Sequence, residues 1–295
     1  MSDVPPYPKM SITGDIGSGK SAITRILGEE TGYRLYSTGQ MQREIAARRG
    51  MSTLELNRYA ETHPEIDDEI DSASRALRSK PEAFIIDSRI AWHFIPESFK
   101  VYLVVDVNIA AKRILSDDVR QMESYDDLAT AREDIRRRRR SEKDRFLEMY
   151  GIDLLDLNHY DLVVDTSCSS PQEIAAVILR AFCAWTKGRP MDRYWLPPTW
   201  LLPTRDVGTS ADDSVMEILR AADFYFILDG HRRASAAILD GISLIPADIV
   251  WWNREEAVPG PSAAELVKKY YHPERVEEWE RWHRFQFPVR PEASR

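Results

Sequence analysis

Cysteine is nearly absent from this sequence: Cys168 and Cys183 are the only two in 295 residues, and their separation fits no metal-binding motif. Thiols so sparse are expected to be reduced side chains of a cytosolic protein rather than a disulfide pair. Long apolar runs are missing too. No stretch approaches the roughly 20 residues a membrane span requires, and Met1 to Met10 carry prolines and charges where a secretory leader would place an apolar core. A soluble, cytoplasmic chain with no membrane partner is the expectation. Positive charge is not in excess: 40 Lys and Arg stand against 48 Asp and Glu, net -8, which excludes a generally basic nucleic-acid coat but leaves local patches open. Repeats and low-complexity tracts are absent, apart from five consecutive arginines, Arg136 to Arg140.

What is present suits an ordinary globular protein, long enough for one large core or two modest ones. The first two thirds alternate strand-like and helix-like segments. Lys9–Thr13, Tyr33–Ser37, Ala83–Ile86, Val101–Val105 and Leu162–Val164 are the apolar or β-rich bursts. Helical stretches run from Lys20 to about Glu30, through Gln40–Leu77, and over Pro171–Trp185. This alternation predicts an α/β fold, a parallel sheet wrapped by helices, over residues 1–188. Lys187–Pro190 breaks the pattern, and Pro197, Pro198 and Pro203 interrupt any regular element. Residues 189–295 then predict a smaller α/β domain: a helix over Ser214–Ala222, a strand at Tyr225–Leu228, a helix over Arg232–Leu239 and a strand near Ala247–Trp251. A helical C-terminal tail, Ala263–Phe285, carries Trp279, Trp282 and Phe285 at helical spacing, a stripe suited to anchoring on a neighbouring domain.

The sharpest chemical signal is Gly14-Asp15-Ile16-Gly17-Ser18-Gly19-Lys20-Ser21, a full Walker A pattern between an apolar strand and a helix. Glycines let the backbone wrap a phosphate with its N–H groups turned inward, and the helix start adds a positive dipole end. Lys20 can bridge the outer phosphates of ATP, and the Ser21 hydroxyl can ligate Mg²⁺. A P-loop alone does not separate an ATPase switch from a kinase.

The segments that follow resemble nucleoside monophosphate kinases, in particular the archaeal type of cytidylate kinase, over about residues 8–185. Tyr36-Ser37-Thr38-Gly39-Gln40-Met41-Gln42-Arg43 is similar to that family's entrance to the acceptor site. Gly50-Met51-Ser52-Thr53-Leu54, then Arg58-Tyr59-Ala60-Glu61 and Pro64 to Asp71, resemble its covering helices. Ile85-Ile86-Asp87-Ser88-Arg89 resembles a strand end where the family's Arg follows a Glu-Gly pair. Arg138-Arg139-Arg140-Ser141-Glu142-Lys143-Asp144-Arg145-Phe146 resembles the lid. The resemblance implies that Ser37, Arg43 and Arg89 bind the acceptor, the arginines gripping its phosphate through planar forks. It also implies that Arg138 and Arg145, seven apart on one helix face, neutralise charge on the transferred phosphoryl group. Arg136, Arg137 and Arg140 are expected on a solvated face. Two departures stand out. Gln40 replaces the family's usual Asp, which leans towards a phosphate acceptor, already an anion. Asp87 replaces a Glu, and could act as a base or steer Mg²⁺.

In the second domain, Asp229-Gly230-His231-Arg232-Arg233 follows a strand and opens a helix of small residues. With Pro203-Thr204-Arg205 upstream, residues 195–252 resemble the ParB/sulfiredoxin superfamily, which implies phosphate or nucleotide binding at that turn. A solvated cap is the alternative, and nucleic acid remains open as a partner through this domain.

The leading expectation is therefore an ATP-dependent kinase acting on a (d)CMP-like nucleoside monophosphate. The second is a P-loop kinase phosphorylating a hydroxyl, on a modified pyrimidine in DNA such as hydroxymethyluracil or on a small metabolite. The third is a nucleotide-gated binding protein, which would have no need of acceptor-covering helices.

Overall fold

The structure, a computed structural model, describes residues 6–60, 63, 65–116, 127–206, 216–252 and 261–291. Glu61, Pro64 and Ser214 lie outside the described residues, as do the side chains of Thr53, Leu54 and Arg58. The chain divides into two units, Met1–Met191 and Asp192–Arg295.

The first unit is built on five parallel strands: β1 (Lys9–Gly14), β2 (Arg34–Ser37), β3 (Phe84–Asp87), β4 (Phe99–Val104) and β5 (Leu162–Asp165). Their spatial order is β2-β3-β1-β4-β5. All six residues of β1 are buried, as both-face coverage of a parallel sheet demands. Helices α1 (Lys20–Thr31), α2 (Thr38–Arg48), α3 (Thr53–Ala60) and α4 (Glu65–Arg78) precede β3. The short α5 (Ala91–Phe94) follows it, then α6 (Val107–Leu115), the long α7 (Leu128–Tyr150) and α8 (Pro171–Trp185). Local chemistry sets the ends. Ser170 and Glu173 form a reciprocal capping box at α8 with Pro171 in its first turn, and Gly151 ends α7 in the left-handed conformation. Because β1 lies between β3, reached after a crossover, and β4, its carboxyl end sits at a topological switch point. Parallel sheets leave a crevice for ligands there.

The second unit carries β6 (Tyr194–Leu196), β7 (Leu201–Pro203), β8 (Glu217–Ala221), β9 (Phe224–Asp229) and β10 (Ile245–Trp252), with α9 (His231–Leu239), α10 (Ala263–Tyr270) and α11 (Pro273–His283). Strand β10 pairs antiparallel with β6 and parallel with β8, β8 antiparallel with β9, and β9 parallel with β7.

Three expectations for this region are corrected. The segment read as a helix over Ser214–Ala222 is strand β8 in its described part. Glu217, Leu219, Arg220 and Ala221 favour helices locally, but pairing with β9 and β10 on both sides overrides propensity. Pro203 does not interrupt regular structure; it closes the edge strand β7, where a missing N–H costs no ladder bond. The aromatic stripe holds only in part: Phe285 packs against the same core as Trp279, and Trp282 does not. Trp279 is fully buried in its own unit's core with Phe226, Ile227 and Val276, whereas Trp282 is 64% exposed. The tail breaks into two helices because Pro273 starts a new one.

Candidate active site

The P-loop runs from the end of β1 into α1. Gly19 precedes the helix at φ 78, a left-handed conformation that strains any residue with a Cβ, and no side chain caps the helix start. The Ala22 amide turns back to the Gly19 carbonyl at 3.0 Å, while the Lys20 and Ser21 N–H groups before it have no side-chain cap and lie at the dipole's positive end. Asp15 is turned into the protein: its carboxylate accepts from the Tyr102 hydroxyl at 2.8 Å and from the Val105 amide at 3.2 Å. Burial and the adjacent Asp15 charge raise Tyr102 well above an ordinary phenol. The guanidinium of Arg113 on α6 braces the loop from behind, donating to the carbonyls of Gly17 at 3.2 Å and Thr166 at 2.6 Å.

Strand register brings the other groups to the same edge. Asp87 is the partner of Ile12 on one side and Ser37 on the other, so β1, β2 and β3 deliver the P-loop, Ser37 and Asp87 together. The Lys20 ammonium sits 2.9 Å from the Asp87 carboxylate, both mostly shielded. Burial and then the nearby Arg89 charge push Lys20 below its ordinary value, while Asp87 and Glu142 pull it back up. Arg89, two residues beyond Asp87, donates through Nη1 to the Gly14 carbonyl and pairs through Nη2 with Glu142 at 3.4 Å. Ser37 caps α2, accepting from the Gln40 amide at 3.4 Å, and Gln40 itself donates to Glu44 on the surface.

Among the expected residues, Lys20, Asp87, Arg89 and Ser37 converge, and the Ser21 hydroxyl lies exposed in the first turn of α1. Arg43 is exposed on α2. On α7, Arg138 lies within 3.9 Å of Asp134, and Arg145 stays on the outer side, lining an open polar hollow with Arg137, Arg140, Ser141 and Asp144. Arg136, Arg137 and Arg140 are exposed, as expected. The inward face of α7 passes through Ile135, Arg139, Glu142 and Phe146, spaced four, three and four apart. From it Arg139 reaches Asp15 at 3.5 Å. Sequence reading missed Arg139, Glu142 and Arg113; the buried Ile135 and Phe146 carry the periodic signal that finds the first two.

In the second unit, α9 also starts from a left-handed glycine, Gly230 at φ 88, where an added Cβ would meet the Met216 backbone at 3.0 Å. His231 is 1% exposed. Its Nε2 accepts from the Thr204 amide at 3.2 Å, which leaves the proton on Nδ1, buried with no acceptor among the described residues. Burial, then the Arg205 charge, push this imidazole down to about 4. Asp229 pairs with Arg205 at 3.7 Å, Arg232 is exposed and Arg233 half-buried. No helix among the described residues is long and apolar enough to cross a membrane.

Known proteins share the first unit. The cytidylate kinase from Methanothermobacter thermautotrophicus is 39% identical over 158 residues, covering 54% of this chain and 94% of its own. The cytidylate kinase from Thermoplasma volcanium is 37% identical over 175 residues, covering 58% and 89%. A protein from Lacinutrix mariniflava named S-adenosylmethionine-dependent nucleotide dehydratase is 31% identical over 175 residues, 59% of this chain but 36% of its own length. The model of the cytidylate kinase-like family matches residues 10–168, just over half of the 295. A triphosphate-gripping loop, a strand-end arginine beside it and this match agree: the chain belongs to the cytidylate kinase-like family and is an ATP-dependent kinase.

Proposed function

We propose that this kinase moves the γ-phosphoryl group of ATP to the phosphate of a (d)CMP-like nucleoside monophosphate. The observation that carries the reading is the placement of Arg89: its guanidinium hangs over the rim of the P-loop, bonded to Gly14, at the strand end next to Lys20. A cation there can hold an anionic acceptor in line with the loop's triphosphate, and positioning is most of what phosphoryl transfer asks of a protein. Ser37 and Arg43 border the same entrance. Arg138 and Arg145 serve from α7 as the groups that meet charge on the transferred phosphoryl once α7 closes, which also excludes water.

Mg²⁺ fits the donors available. The Ser21 hydroxyl and the Asp87 carboxylate are hard oxygen ligands, and no group of three or more His, Cys, Asp or Glu among the described residues is built to hold a metal alone. That matches an ion held by one or two protein oxygens together with substrate phosphates. When bound, it neutralises charge on the phosphates in transfer.

A second reading is favoured by Asp87 itself. A carboxylate 2.9 Å from Lys20 could take the proton of a hydroxyl acceptor, such as a modified pyrimidine in DNA. The turn at Gly230 would then recognise the substrate. The support for a ParB-like phosphate site there is the uncapped helix start together with the buried Nδ1–H of His231.

γ-Labelled ATP with Mg²⁺, offered in turn to CMP, dCMP, UMP, AMP, free serine, and DNA with or without hydroxymethylpyrimidine, separates these outcomes. Label in a nucleoside diphosphate is expected. Label in DNA or serine selects the second reading, and free phosphate without any acceptor overturns both.

A further inference from the structure

Six charged side chains alternate around the P-loop: Lys20 with Asp87, Arg89 with Glu142, and Arg139 with Asp15. In each of these pairs the cation already has a carboxylate partner, although the substrates of this site are polyanions. Some carboxylate must give way before an acceptor phosphate is held. Asp15 is fixed by Tyr102 and Val105 and is 7% exposed, so it is not the one. Asp87 is fixed on a strand between two neighbours.

Glu142 differs. It stands on α7, half-exposed, and the one ion pair it makes among the described residues is the 3.4 Å contact to Arg89, although its charge is also felt by Lys20. Both terminal arms of the Arg89 fork are engaged: Nη1 by the Gly14 carbonyl, which belongs to the loop, and Nη2 by Glu142. Each arm carries two N–H donors, so a phosphate can approach either, but the Glu142 arm is the one whose partner can leave without unmaking the P-loop. A dianion arriving there would also face the Glu142 charge across a few ångströms of partly shielded space, where like charges repel strongly.

We propose that Glu142 is a specificity-determining residue that occupies the acceptor-phosphate arm of Arg89, so that only an acceptor carrying an anion displaces it. A neutral hydroxyl compound has nothing to offer the guanidinium in exchange. Displacement also removes an ionic contact between α7 and the loop's surroundings, where Arg139 to Asp15 is another. Arrival of the correct acceptor is thereby coupled to freedom of the helix that carries Arg138 and Arg145. The inference rests on the reading of Arg89 as an acceptor-phosphate ligand.

The test titrates CMP and, separately, inorganic phosphate into the full-length chain saturated with a non-hydrolysable ATP analogue and Mg²⁺, by calorimetry. Wild type, Glu142→Gln and Arg89→Ala are compared. Glu142→Gln should tighten binding of both probes by about threefold to tenfold, the scale of a partly exposed ion pair, and Arg89→Ala should weaken both. Tighter phosphate binding by Glu142→Gln with no CMP binding by any protein would sink the CMP reading and leave this inference standing. Unchanged binding in Arg89→Ala would remove the role of Arg89 and the inference with it. Weaker or unchanged binding in Glu142→Gln, with Arg89→Ala weakened, would overturn the inference alone, since Glu142 would then be orienting Arg89 rather than competing for it.

Discussion

Helix α1 starts from Gly19 at φ 78 and helix α9 from Gly230 at φ 88, and neither start has a side-chain cap. The backbone offers an anion the same reception in both places, a left-handed glycine followed by amides without a side-chain cap. The side chains part company at the next residue. At α1 it is Lys20, a cation held 2.9 Å from Asp87 inside a ring of paired charges. At α9 it is His231, neutral, locked through Nε2 to the Thr204 amide, with the charged Arg232 left outside. A helix start is thus a general anion device, and the chemistry comes from what surrounds it. The family match covers the first start and stops before the second.

The largest effect that sharpens this contrast is Lys20→Ala. Initial rates of label transfer should fall on the order of 10²–10³-fold or more, the loss seen when a preorganised transition-state donor is removed. Activity within tenfold of wild type would mean that the α1 start works through its amides alone, as the α9 start would have to. Next comes Trp279→Ala. Trp279 fills the second unit's core, donates to the Arg205 carbonyl at 3.1 Å and packs edge-on against His231. Its loss should cost about 3–5 kcal/mol in denaturant unfolding. A cost below about 1 kcal/mol, too little for a filled core position, would show that the α9 turn is not anchored by α11.

The same contrast explains what could be read in advance. Strand, Gly-rich turn and helix at Lys9–Glu30 are set by local rules, so the P-loop was legible residue by residue. The strand-end position of Asp87 and Arg89 was legible too, because they follow the Ile85–Ile86 burst directly, whereas the roles expected of them come from the family resemblance alone. The α7 pairs were not. Five arginines in a row conceal which one faces inward, and only the positions of Ile135 and Phe146 choose Arg139. Strand β8 was misread for a related reason. Its residues favour a helix locally, and pairing with β9 and β10 comes from segments that meet it only in the folded chain. Trp282 and Trp279, three apart, looked equivalent by spacing, yet 64% exposure against 1% separates them.

The pH response of the second unit is smaller but carries a definite sign. His231 is pushed down to about 4, whereas the unfolded imidazole titrates near ~6.5. Above that unfolded value both states are neutral and the contribution is fully present. As pH falls towards 4 the unfolded chain takes up a proton that the folded chain refuses, so stability declines, by up to about 2–3 kcal/mol. Chemical denaturation of the whole chain at pH 7.5, 6, 5 and 4.5 should show this fall, and His231→Gln should flatten it. An equal slope in the variant would assign the acid sensitivity to other groups.

Arg232→Ala should have the smallest effect and bears most directly on whether the two helix starts share a purpose. Arg232 is exposed one residue into α9, so it contributes little to the fold. If the start takes a phosphate, its guanidinium adds a charge-assisted contact, and nucleotide affinity of the second unit should drop about fivefold to tenfold on its removal. The kinase site's own affinity complicates a simple titration, so the comparison belongs in the Lys20→Ala background, where the P-loop is weakened. There, nucleotide binding that is lost with Arg232→Ala would make α9 a working anion site like α1. Binding that does not change would leave Arg232 a solvated cap, and the likeness of Gly19 and Gly230 would be one of backbone geometry alone.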